Sequence, residues 1–120
     1  MSTAWRACAL IPSHNHSSAL PGIVAALRAY DLPVIVIDDG SDATHAARLA
    51  ALASQYDETR VVRLEPNQGK GGAVLHGFQL AMAAGFTHAL QIDADGQHDL
   101  ASVGQLLTLS RAQPEALVTG

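Results

Sequence analysis

His88-Ala89-Leu90-Gln91-Ile92-Asp93-Ala94-Asp95-Gly96-Gln97-His98-Asp99 passes from a short apolar run straight into carboxylates and glycine. A run of that length, without polar alternation, reads as a strand buried on both faces that ends in a loop. The same transition recurs along the chain. Residues 7–11 lead into Pro12 to His16, residues 33–37 into Asp38 to Asp42, and residues 60–64 towards Asn67 to Gly72. A fifth apolar run covers residues 116–118. Alanine-rich stretches at about 18–30, 44–56, 72–84 and 100–112 separate these runs and read as helices, with Asp42 and Asp99 as N-caps. In the third, Val74, Phe78, Ala81 and Met82 recur at helical spacing as a core stripe, and Gly85 supplies the stop. Strand and helix in alternation imply crossovers between parallel strands, hence an α/β fold with a parallel, Rossmann-like sheet.

Composition bounds the function. The chain has 120 residues, enough for one domain with one core but short for an enzyme holding two complete substrate sites. Seven Lys and Arg against a net charge of −4 give no surface for a phosphate backbone, so nucleic acid is not an expected partner. The single cysteine, Cys8, lies in an apolar run and reads as a buried structural thiol. No run approaches the roughly 18 apolar residues of a membrane span. The expected location is cytoplasmic, with room for contact at the cytoplasmic membrane surface. The sequence stops after a strand where a doubly wound domain would continue, so it reads as one domain cut short at its C-terminus, with self-association at the open edge.

Polar and glycine residues follow the carboxyl ends of successive strands, which in open α/β sheets line the ligand crevice. Asp93 and Asp95, two apart at a strand end, point the same way in extended geometry. Two such carboxylates call for a cation between them, and Mg²⁺ or Mn²⁺ takes oxygen ligands of this kind, with Gln97 as a neutral third. Mg²⁺ completes its shell with waters and substrate phosphates, which implies a nucleotide diphosphate. An EF-hand is excluded, since its ligand ladder and closing Glu are missing. Of Asp38 and Asp39, one can accept hydrogen bonds from ribose or base while the other pins the loop, and Gly40 suits a tight turn. Lys70, among Gly69, Gly71 and Gly72, reads equally as a phosphate contact or as a solvated residue on a glycine turn. Neither the phosphate-loop ATPase motif nor the dinucleotide glycine pattern is present. His14 can stack on or hydrogen-bond a base. His14, His16 and His98 match no compact zinc spacing. His45, His76 and His88 read as surface or satisfied core residues.

Ile11-Pro12-Ser13-His14-Asn15, Val36 to Asp42, Asn67 to Ala73 and Asp93 to His98 together resemble glycosyltransferase family 2, in the branch similar to dolichol-phosphate mannosyltransferases. The resemblance runs from Ala9 to the end. It implies the nucleotide-binding half of a GT-A type fold, an inverting, metal-dependent transfer from a nucleotide-diphosphate-sugar, and an acceptor such as a polyprenyl phosphate or glycan. By position it places Asp39 on the base or ribose and Pro12 and His14 in the nucleotide-lining loop. Asp93, Asp95 and Gln97 match its DXD-type metal and diphosphate site, with Lys70 and Ala94 also against the donor. His14 stands where the family usually has Tyr. The family's catalytic base lies beyond Gly120, so no residue here is assigned that role, and the 120-residue chain is expected to bind donor without transferring sugar. Two rival readings remain: a non-catalytic nucleotide-binding or interaction module, and a phospho-receiver signalling domain, whose acidic pair would follow the first strand.

Overall fold

A computed structural model of the chain describes residues 6–94 and 118–119. The elements are β1 (Ala7–Ser13), α1 (Leu20–Ala29), β2 (Val34–Asp39), α2 (Ala43–Gln55), β3 (Thr59–Leu64), α3 (Gly69–Ala83), β4 (His88–Gln91) and β5 (Val118–Thr119). The strands form one sheet in the order β3-β2-β1-β4-β5, parallel at every pairing. The helix expected at 100–112 and its cap Asp99 lie outside the described residues. Among those described, no helix is long and apolar enough to cross a membrane.

Strand order and right-handed crossovers fix the layers. The steps from β1 to β2 to β3 run one way and the step from β3 to β4 runs back, so α1 and α2 cover one face and α3 the other. Alternation along β1 divides its side chains accordingly. Ala7, Ala9 and Ile11 join Leu20, Ile23, Val24, Leu27, Leu49 and Leu52 on the first face. Cys8 and Leu10 join Ile35, Ile37, Ala73, Ala81 and Ala89 on the second.

Local chemistry explains the helix ends. Asp42 accepts a hydrogen bond from the His45 backbone N–H at 3.1 Å and caps α2. After α3, Gly85 takes a positive φ, and the paired bonds Gly85 N–H to Met82 O and Phe86 N–H to Ala81 O close a Schellman motif. In α1 the residues Leu20, Ile23, Val24 and Leu27 share one face and form its buried stripe.

Two expectations are corrected. The strand at 60–64 is not buried on both faces: β3 is an edge strand, and Arg60 and Arg63 along it are exposed. Met82 is not core, being 67% exposed, because α3 turns its small residues Ala73, Gly77 and Ala81 to the sheet and Met82 lies well around the helix from them. The helix also starts at Gly69, three residues before the expected 72, which puts Lys70 in its first turn.

Cys8 is fully buried, and burial pushes its thiol from 9.0 up to about 12, against a smaller opposing pull from Arg6. A raised folded value means that its contribution to stability is intact below pH 9 and is lost as the pH climbs towards 12. At pH 8, maleimide should therefore label Cys8 only through unfolding, slowly in native buffer and rapidly in urea. Rapid labelling of native protein would contradict this burial.

Candidate functional site

A cleft of about 460 Å³ opens at the carboxyl ends of β1, β2 and β4. This is where the chain order reverses, β1 stepping outward to β2 on one side while β4 lies on the other, the usual ligand position in such sheets. Its volume is within the range of small-molecule sites. The β1 loop contributes Pro12, His14 and His16, β2 contributes Asp39, the entry to α3 contributes Asn67, Gly69 and Lys70, and the end of β4 contributes Asp93 and Ala94. The cleft thus gathers Pro12, His14, Asp39, Lys70, Asp93 and Ala94, whereas Asp95 and Gln97 lie outside the described residues.

The two carboxylates that end β2 do different work. Successive side chains of a strand point to opposite faces. Asp38, 2% exposed, accepts from the Ser41 backbone N–H at 3.0 Å and from Arg63 Nη1 at 2.8 Å. Arg63 also donates to Ser41 O at 2.9 Å and to Glu65, and its bonds first to Glu65 and then to Asp38 hold the guanidinium still more firmly protonated. Asp38 is therefore the residue that pins the loop. Asp39 takes the Gln68 backbone N–H on Oδ1 at 2.7 Å and Asn67 Nδ2 on Oδ2 at 3.1 Å. Each carboxylate oxygen has a second lone pair, so both can still accept from a ligand in the cleft. Gly40 permits this geometry. Its φ is +69°, and a Cβ there would come within 2.8 Å of the Asn67 backbone nitrogen.

The Asp39 carbonyl oxygen joins the first and third loops to the second. Asn67 Nδ2 donates to it at 2.8 Å, and His14 Nδ1 lies 2.8 Å away. A carbonyl can only accept, so Nδ1 carries the proton and the lone pair of neutral His14 is on Nε2. Asn15, at φ 54°, donates its N–H to Ser41 Oγ and accepts the Asp42 N–H on Oδ1 at 2.8 Å. The fastening roles of Asn15, Ser41, Arg63 and Asn67 were not readable from spacing, since each depends on which strand lies beside which. An arginine inside an otherwise apolar run, as Arg63 is, was the one available signal.

Two of the other histidines have hydroxyl partners. His45 Nδ1 meets Ser17 Oγ at 2.8 Å, and fully buried His88 meets Thr87 Oγ1 at 2.7 Å. Among the described residues, no three His, Cys, Asp or Glu side chains group as metal ligands. At the mouth of the cleft, Lys70 Nζ lies 2.9 Å from Asp93 Oδ1, the Lys side chain 63% and the Asp 37% exposed. The glycine-flanked cation of α3 thus faces the carboxylate two residues past β4.

The model of the family described as "Glycosyl transferase family 2" matches residues 8–120. The chain belongs to glycosyl transferase family 2. Two curated proteins are similar to it. One is a polyprenol monophosphomannose synthase of Mycolicibacterium smegmatis, 30% identical over 105 residues that cover 85% of this chain and 40% of that protein. The other is an undecaprenyl-phosphate mannosyltransferase of Micrococcus luteus, 28% identical over 108 residues that cover 88% of this chain and 44% of that protein. The chain thus spans less than half the length of either relative. With β1 central and the cleft at its carboxyl end, its parallel α/β sheet is the nucleotide-binding architecture expected of family 2.

Proposed function

We propose that this chain supplies the donor side of an inverting, metal-dependent glycosyltransferase that moves a sugar from a nucleotide-diphosphate-sugar to a polyprenyl phosphate. The observation that carries the reading is the polarity of the cleft. One end holds the His14 and Asp39 clasp, rich in acceptors, and the other holds the Lys70 and Asp93 pair beside the start of a helix. A nucleoside diphosphate has the matching order, with base and ribose donors at one end and phosphate charge at the other. The names of the two relatives support a polyprenyl acceptor and make mannose the first sugar to test.

A divalent cation fits the described donors. The oxygen of Asp93 already pairs with a cationic group, and carboxylate oxygen is the ligand type that Mg²⁺ and Mn²⁺ take. Asp93 would hold the ion, with Asp95 and Gln97 as its proposed companions from the sequence. When bound, such an ion neutralises charge on the departing diphosphate. Lys70 and the exposed start of α3 attract the phosphates, since helix N-termini favour anions. Pro12 and His14 wall the nucleoside, and Asp39 accepts from its hydroxyls or base. The base that deprotonates the acceptor is not assigned to a described residue.

The test is a thermal-shift series with nucleoside diphosphates in Mn²⁺ and in chelator. Stabilisation should appear only with the metal, by roughly 2.7 kcal/mol at a hundredfold excess over Kd. Asp95→Ala should remove the metal-dependent part. Equal stabilisation in chelator would count against the reading.

A further inference from the structure

We propose that Lys70 is a built-in counter-cation, which holds Asp93 in the free protein and transfers to the donor's diphosphate when a divalent ion takes the carboxylate. The inference rests on Asp93 being a metal ligand, as proposed above, and adds an exchange that couples metal binding to diphosphate binding.

The pair is arranged for exchange. Asp93 lies two residues past β4, next to Ile92, whose backbone N–H donates to Leu10 O of β1 at 2.9 Å, so its backbone is the anchored partner. Lys70 is the movable one, a charge on a flexible four-carbon stem in the first turn of α3. Its neighbours Gly69 and Gly71 stand in open space, where a Cβ on either would meet nothing within 4 Å. The stem can swing without displacing a side chain. Among the described residues the other carboxylate lining the cleft is Asp39, which ends β2 on the far side of β1 from β4 and already takes donors from Gln68 and Asn67.

An ammonium and a divalent ion repel each other on one carboxylate, so a metal arriving alone competes with Lys70 for Asp93, and Lys70 then needs another anion. A diphosphate supplies that anion beside a helix start that already favours it. Metal alone is then held weakly, metal with diphosphate tightly, and the coupling is reciprocal.

The experiment measures Mn²⁺ binding by the free-ion paramagnetic resonance signal, with and without pyrophosphate, in the parent, Lys70→Met, Lys70→Gln, Lys70→Arg and Asp93→Asn. An exposed ion pair sets the scale of the effect at about two- to fivefold. Lys70→Met and Lys70→Gln should bind Mn²⁺ alone that much more tightly than the parent. In saturating Mn²⁺ they should bind pyrophosphate more weakly, a reversal of sign that a merely structural role would not give. Lys70→Arg should follow the parent, and 0.5 M salt should shrink the differences. Unchanged or weaker Mn²⁺ binding in both neutral variants, with Asp93→Asn defective, overturns the exchange and leaves the metal assignment standing. Parent-like Mn²⁺ binding by Asp93→Asn overturns both.

Discussion

Replacing Asp39 by alanine is expected to weaken nucleoside diphosphate binding about a hundredfold while leaving Mn²⁺ affinity in saturating pyrophosphate nearly unchanged. A hydrogen bond to a charged group contributes about 1.5 to 3 kcal/mol, and each 1.4 kcal/mol is about a factor of ten. Asp39→Ala removes the proposed contact with the nucleoside and also unfastens the loops. The Gln68 N–H loses its acceptor at 2.7 Å, and Asn67 Nδ2 loses the one at 3.1 Å. Asp39→Asn should fall between, near tenfold. Its single oxygen can serve Gln68 or face Asn67, but its amide group then opposes a donor in either orientation. Asn67→Ala separates positioning from contact, because the carboxylate stays while its side-chain clamp goes, and a loss of about tenfold is expected. Isothermal titration with nucleoside diphosphates in Mn²⁺ measures all three. If Asp39→Ala abolished Mn²⁺ binding in pyrophosphate, Asp39 would belong to the metal end of the cleft and the assignment would be reversed.

The sheet was legible because its strands are short Val- and Ile-rich runs that stop at Pro, Gly or Asp, a pattern that specifies a parallel α/β sheet almost alone. Asp42 as a cap and Gly85 as a stop were readable for the same reason, since both act within a few residues of their own positions. What failed was non-local. Residues 60–64 looked doubly buried because apolar content cannot tell a central strand from an edge strand, and strand order decided that. Met82 looked like core because periodicity finds a stripe but not which edge of it meets the sheet. In α3 the contact runs along Ala73, Gly77 and Ala81, the smallest residues of the stripe's neighbourhood. The candidate site was legible as four loops, yet its internal fastening was not. Which of Asp38 and Asp39 faces Arg63 is a matter of register, and Asn67 reaches Asp39 only because the turn at Gly40 brings the loops together.

Gly77 is expected to tolerate no side chain. An alanine inside a helix normally improves on glycine by about 1 kcal/mol. Here the added Cβ would collide with Leu10 Cδ1 and lie within 2.9 Å of Cδ2 and 3.1 Å of Cγ. Leu10 is fully buried in the central strand, so it cannot turn away, and α3 must lift from the sheet. Overpacking of this kind costs about 1 to 3 kcal/mol. With both Leu10 methyls in the way the upper end applies, and Gly77→Ala should lose about 2 kcal/mol net. For a domain near 100 residues that lowers Tm by roughly 10 °C. Gly77→Val should lose more, because β-branching forfeits the helical gain. The mechanism is separable from any general intolerance of the position. Leu10→Ala alone should cost about 2 to 5 kcal/mol by leaving a cavity, and Gly77→Ala added to it should then stabilise by partly filling the space. The same lift would carry Lys70 away from Asp93, so pyrophosphate affinity should fall with Tm in Gly77→Ala and recover partly in the double variant. Thermal melts of the parent and these four variants decide the matter. A Gly77→Ala variant as stable as the parent would mean that α3 does not approach β1 this closely, and the height at which it holds Lys70 over the cleft would have to be redrawn.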